Sequence, residues 1–174
     1  MSGTISSTDE DTVFSVKSFN PDGIALVFGA SGAIGGAVLS HLTALSHFKN
    51  VIGFSRQSPV AIDLTNESTI QKAAETAATS GDIRLVIDAT GHLHDPTRRP
   101  EKTWRQIDIH NLANSFAVNA IGPALLIKHL LPRLPRSGKS VFATLSARVG
   151  SIEDNDLGGW YGYRASKAAL NQIV

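Results

Sequence analysis

Tyr163 and Lys167 stand four residues apart in the run Tyr163-Arg164-Ala165-Ser166-Lys167, a spacing that puts a phenol and an ammonium on one face of a helix. An unperturbed phenol titrates at about 10, and a neighbouring cation favours its phenolate. Such a pair can exchange a proton with a carbonyl or alcohol oxygen near neutrality, which is general acid–base chemistry. Tyr161 is six positions from the lysine and lies on another face, so Tyr163 is the candidate. By itself this pair is common on solvated helices; what gives it weight is the other end of the chain.

Ile24-Ala25-Leu26-Val27-Phe28 is an apolar run of strand length that leads directly into Gly29-Ala30-Ser31-Gly32-Ala33-Ile34-Gly35-Gly36. Ile34, Val38, Leu42 and Leu45 then recur at helical spacing, which predicts a helix with these four on one buried stripe. A strand, a glycine-rich turn and a helix in that order form a phosphate cradle. Glycines let the backbone turn sharply and approach a pyrophosphate, and the helix start offers it N–H groups and a positive dipole end. No Gly-Lys-Ser/Thr ending follows, which disfavours a P-loop nucleotidase.

With both ends in view, residues 23–174 resemble the short-chain dehydrogenase/reductase family, and the stretch from Ser146 through Gly158-Gly159-Trp160 to Asn171 is most similar to reductases resembling the bacterial C-factor. The resemblance implies an α/β fold, a Rossmann-type doubly wound parallel sheet, with a nicotinamide cofactor and hydride transfer to or from a carbonyl carbon. It implies cofactor contacts from Gly29, Ser31, Gly32, Ile34 and Gly35. The glycine spacing is a variant, because the common pattern has its second glycine where this chain has Ala33. Asn119, in Asn119-Ala120-Ile121-Gly122-Pro123, matches the family's Asn-x-x-Gly segment, where the asparagine is taken to hold a water in a proton relay to the lysine. Asp88-Ala89-Thr90-Gly91 occupies the place of Asn-Asn/Ala-Ala-Gly, which brings Ala89 and Gly91 to the adenosine pocket and leaves Asp88 as a departure.

The family's substrate-orienting serine stands three residues before a glycine, and counting back from Gly150 reaches Ala147. Ser146 is adjacent and Ser151 follows the glycine; a shifted loop register would let either supply the hydroxyl, and Ser146 is favoured. Catalysis would then use Tyr163 as acid–base, Lys167 to lower its pKa and hold the nicotinamide ribose, Ser146 to orient the substrate oxygen, and Asn119 to replenish the proton.

Cofactor choice follows from charge. The segment Val51-Ile52-Gly53-Phe54 ends in Ser55-Arg56, where a chain selecting NAD would place an acid. An arginine there offers a fork to a 2′-phosphate, so NADP(H) is expected ahead of NAD(H), with Arg56 and Ser31 as contacts. By resemblance, Asp63-Leu64 flanks the adenine ring.

The 174 residues are 42% hydrophobic with a formal charge of +1, enough for one core and without bias toward nucleic acid or anionic membranes. Residues 1–20 read as a weakly structured arm, in which Val13-Phe14-Ser15-Val16 could pair on a sheet edge, and 21–174 as the dinucleotide-binding domain. No apolar stretch is expected to approach membrane-spanning length, and no signal-peptide core is seen, so the expectation is a soluble cytoplasmic protein. The absence of cysteine removes disulfides, thiolate catalysis and thiolate metal sites. His92 and His94 flank Leu93 without a third ligand cluster, so no metal is assigned. Arg148 and Arg164 lie near the proposed site and could favour an anionic substrate, although a surface role is the simpler reading. Trp160, close to Tyr163, could wall a substrate pocket.

The partner expected is a small carbonyl or alcohol substrate, and by family analogy the chain pairs as a homo-oligomer. The competing function is a nucleotide-binding regulatory or signalling module without turnover. By resemblance, further strands follow the helix carrying Tyr163. The domain therefore reads as a fragment incomplete at its C-terminal side, with the fifth strand, 140–145, as an uncovered apolar edge.

Overall fold

The computed structural model describes residues 15–96 and 99–174. The suggested strand pairing of Val13 and Phe14, and Arg98 of the loop before the long helix, lie outside these residues. Four parallel strands form one sheet: β1 (Ile24–Phe28), β2 (Asn50–Phe54), β3 (Ile83–Asp88) and β4 (Val141–Thr144), in the order β2-β1-β3-β4. The crossovers carry helices α1 (Ala33–Ala44), α2 (Glu67–Ser80), α3 (Ile109–Phe116) and α4 (Gly122–Leu130), and α5 (Tyr161–Ile173) follows β4. This is the Rossmann-type, doubly wound arrangement.

All five residues of β1 are buried, because a central strand of a parallel sheet is covered on both faces. Leu26 pairs with Ile52 on one side and Val86 on the other. Alternation along β1 divides the core. Ile24, Leu26 and Phe28 pack with Ile70, Ala73, Ala74 and Ala77 of α2 and with Leu126 and Leu130 of α4. Ala25 and Val27 face Leu42, Phe48 and Leu85. Val16 and Phe19 join that second layer, so residues 15–20 of the expected arm are anchored to the sheet.

Two sequence expectations change here. On α1 only Leu42 of the four-residue stripe is fully buried; Val38 is partly buried, while Ile34 is 61% exposed and Leu45 36%. Ile34 lies in the first turn at the end of the sheet and Leu45 just after the last turn, so neither sits over a strand. The segment Val60–Leu64 forms no strand, although Ile62 and Leu64 are buried; Ile62 N–H donates to Ser55 O at 3.0 Å. The strand expected to be fifth is accordingly the fourth, and it pairs with β3 alone at one edge of the sheet.

The long helix begins at Ile109, where the Asp108 side chain accepts from the N–H groups of His110 and Asn111. Between α3 and α4 the chain makes a π-turn, Ala117–Ile121, in which Gly122 N–H donates to Ala117 O five residues back. The local cause is Pro123, which has no N–H to give the Asn119 carbonyl. Residues 109–133 run together as 25 residues containing an 18-residue stretch of mean hydropathy 1.2, long and apolar enough to span a membrane by length and composition, which corrects the expectation that no such stretch exists. Asn119, Ala120, Gly122, Pro123, Leu126 and Leu130 of this run are buried within the fold, as in a core helix.

Candidate active site

The strand order reverses between β1 and β3, and ligands of open α/β sheets bind at the carboxyl ends of strands at such a switch. Here Ala89 N–H donates to Phe28 O at 3.0 Å and ties the two strand ends together. Above them opens a cleft of about 520 Å³. Of the expected cofactor residues, Gly29, Ser31, Gly32, Arg56, Asp63, Leu64, Ala89 and Gly91 line it, whereas Ile34, Gly35, Tyr163 and Lys167 do not. Thr90, His92, Asp95, Asn114 and Val118 also line it. Thr90 and His92 belong to motifs read above for other reasons, whereas Asp95, Asn114 and Val118 carried no local motif of their own.

The turn itself is built from backbone. Gly29 has φ +80°, which favours glycine. A Cβ at Gly35 would lie 2.2 Å from Gly29 O, so α1 starts in direct contact with the turn. Gly29 and Ala30 N–H both donate to Phe54 O. The amides left to face an anion are therefore the first ones of α1, which no carbonyl within the helix can reach and which carry the positive dipole end. Arg56 is exposed at the rim, and its charge helps hold the Asp63 carboxyl below its ordinary value, after the larger effect of hydrogen bonds from Thr65.

The second half of the site is a corner of side chains. Lys167 is 2% exposed and donates from Nζ to Leu145 O at 2.8 Å. Burial pushes its pKa down, and the negative charge of Asp88 partly offsets this. Asn119 is fully buried. Its Oδ1 accepts from His92 N–H at 2.7 Å, and its Nδ2 donates to His92 O at 2.8 Å and to Ser166 Oγ at 3.0 Å. Ser166 Oγ in turn donates to Tyr163 O, back-bonding within α5. Gly91 is where these groups converge: a Cβ there would be 3.5 Å from Lys167 Nζ and 3.6 Å from Asn119 Oδ1.

Tyr163 is half-buried, and burial raises its pKa above the ordinary 10.0. This differs from the expectation that Lys167 lowers it, because the ammonium is directed to Leu145 O. The Ser146 hydroxyl, expected to orient substrate, is instead given to Asn171 Oδ1. The side chain of Asn119, the residue expected to hold a relay water, is engaged by His92 and Ser166. Asp88 is buried and accepts from Thr90 N–H, Thr90 Oγ1 and Thr144 Oγ1, so it ties β3 to β4. Arg148 is engaged by both oxygens of Asp154, and Arg164 donates to Val149 O at 3.4 Å; both therefore serve the loop between β4 and α5.

That loop ends in three consecutive left-handed residues, Gly158, Gly159 and Trp160, the last at φ +49°. For a side chain as large as indole this conformation costs about 1–2 kcal/mol. It brings the Trp160 ring edge-on to Tyr163, with centroids 6.3 Å apart, as a wall beside the phenol.

A family described as Enoyl-(Acyl carrier protein) reductase matches residues 23–174. The chain is 40% identical over 68 residues to the C-signal protein of Myxococcus xanthus, covering 39% of this chain and 41% of that one. It is 30% identical over 112 residues to a 1-hydroxy-2-glutathionyl-2-methyl-3-butene dehydrogenase of Rhodococcus sp. strain AD45, covering 64% and 46%. The chain thus spans less than half the length of these curated relatives. The structure of NADPH-bound carbonyl reductase from chicken fatty liver superposes with a TM-score of 0.75 at 25% identity, over 87% of this chain and 68% of that one.

Proposed function

Since the chain belongs to the short-chain dehydrogenase/reductase family, we propose that it is part of an NADP(H)-dependent oxidoreductase acting on a small carbonyl or alcohol. The observation that carries this reading is the pairing of a dinucleotide-sized cleft at the sheet's switch point with Tyr163 and Lys167 on the adjoining helix. The fit of the cofactor rests on the cradle, where the missing Cβ of Gly35 lets the start of α1 meet Gly29. Gly29, Ser31 and Gly32 would hold the pyrophosphate, Asp63, Leu64 and Ala89 the adenosine, and Arg56 a 2′-phosphate. When bound, the nicotinamide supplies or accepts the hydride.

The protein's own residues then manage the proton and the geometry. Tyr163 gives its hydroxyl proton to the carbonyl oxygen, or takes one from an alcohol. Its burial favours the protonated form, which is the form a reductase needs. Lys167 stands ready beside Gly91, its charge sustained by Asp88. With the Asn119 side chain filled, the group of this residue suited to a relay water is its main-chain carbonyl, which Pro123 cannot bond. Trp160 shields the phenol from one side. The preference for NADP(H) draws further support from the NADPH bound in the carbonyl reductase. A cytoplasmic homo-oligomer is part of the same proposal.

The test is titration of the chain with NADPH and NADH, together with a carbonyl panel. Arg56→Glu should weaken NADPH binding roughly 10- to 100-fold, the equivalent of losing hydrogen bonds to a charged group, and leave NADH little changed. Tyr163→Phe should abolish turnover and keep NADPH binding. Binding without turnover in the unaltered chain would favour a nucleotide-binding regulatory module; no binding at all would refute the reading.

A further inference from the structure

Glu101 is only 6% exposed, uncommon burial for a carboxylate, and the chemistry proposed above makes no use of it. It lies in the segment leading to α3 yet serves the start of α5. Its main-chain oxygen accepts from Trp160 N–H at 2.5 Å, and its Oε2 lies 3.4 Å from Gly162 N–H. Trp160 is the residue flanking α5, and it offers no side-chain acceptor to the first-turn amides. Glu101 therefore supplies from a distant segment what a serine or aspartate cap supplies locally, with a charge that suits the dipole of a helix start.

The fit around it is close. A Cβ at Gly162 would lie 3.1 Å from Ser115 Oγ, 3.2 Å from Glu101 Oε1 and 3.3 Å from Leu112 Cδ2, so α5 rests against the carboxylate without a spacer. Gly159 approaches as closely, its missing Cβ 3.2 Å from Glu101 O. Tyr163 is the next residue along α5, and with Glu101 it lines one small cavity beside His92 and Ser115.

We propose that Glu101 is a positioning residue for Tyr163, its buried carboxylate capping α5 from outside the helix and thereby fixing where the phenol stands. The kinetic part of this inference rests on the oxidoreductase reading; the structural part does not. The test compares Glu101→Ala with Glu101→Gln in the full chain, since the amide keeps an acceptor oxygen and the main-chain bond to Trp160 survives both changes.

In Glu101→Ala, amide hydrogen exchange at Gly162 and Tyr163 should accelerate on the order of tenfold, with Leu26 and Val86 of the sheet unchanged. Turnover should fall on the order of 100-fold at an unchanged KM for NADPH, the effect of a misplaced group. Glu101→Gln should restore both readings to within a few fold. Unchanged exchange at Gly162 in the alanine variant, or a glutamine variant that behaves like alanine, overturns the proposal. Should the alanine variant not fold, Gly162→Ala separates α5 from the carboxylate and must give the same local acceleration, or the proposal fails. If the unaltered chain shows no turnover, the exchange result alone upholds or overturns the positioning.

Discussion

The cleft over Gly29 and the corner around Lys167 share the carboxyl edge of one sheet, but they are made of different materials. The turn at the base of the cleft is backbone: a left-handed glycine, a helix start pressed against it, and amides left over for an anion. The corner is held by buried side chains, Asn119, Ser166 and Lys167, all but removed from solvent and bonded mostly to main-chain groups of His92, Tyr163 and Leu145. A backbone site tolerates almost any chemistry in its neighbours and fails on an added methyl group. A side-chain net tolerates small shifts in shape and fails on a missing partner.

The largest effect should come from the backbone side. Gly35→Val puts a branched side chain where 2.2 Å separates even a Cβ from Gly29 O. The expected result is loss of NADPH binding and destabilisation of about 3 kcal/mol or more in urea unfolding. A variant that binds like the unaltered chain would break the distinction between the two regions.

On the other side, Asn119→Ala leaves the His92 N–H and C=O without their partners and removes the bond to Ser166. About 3 kcal/mol of stability should be lost, at one to a few kcal/mol for each buried polar group left unmade. A change under about 1 kcal/mol, read from urea midpoints, would mean that the net does not hold the corner together.

A smaller effect sharpens the comparison through pH. Burial lowers the Lys167 pKa below 10.5, so just below that value the unfolded chain binds this proton more readily than the folded one. Stability should therefore rise with pH from the folded pKa up to 10.5. Tyr163 works in the opposite sense: raised above 10.0, it keeps its proton longer when folded, and stability should decline as pH climbs from 10.0 to the folded value. Comparison with Lys167→Met by urea unfolding over this range isolates the lysine. An identical pH dependence in the two proteins would show that the ammonium is not desolvated.

What the sequence made legible follows the same division. The cradle could be read because strand, turn and helix are contiguous, and β1 because burial on both faces writes an unbroken apolar run. Tyr163 and Lys167 could be read because four residues make one helical face. The roles that escaped depend on partners far along the chain. Asn119 meets His92, Asp88 meets Thr144, and Glu101 meets Gly162, and no local spacing encodes any of these. The hydroxyl partner of Ser146, Asn171, escaped for the same reason, since it lies on the far part of α5. Ile34 and Leu45 kept helical periodicity, but periodicity does not say where the supporting sheet stops.

The π-turn between α3 and α4 acts as an indexing step. An added residue in a helix of 3.6 residues per turn rotates everything after it by about 100° relative to what precedes it. Asn114 and Val118 can thus border the nucleotide cleft while Leu126 and Leu130 pack on Ile70. Without that step a single straight helix could be in register with the cleft or with the core, but not with both, so one local irregularity lets the same rod serve as gate-post and as keel.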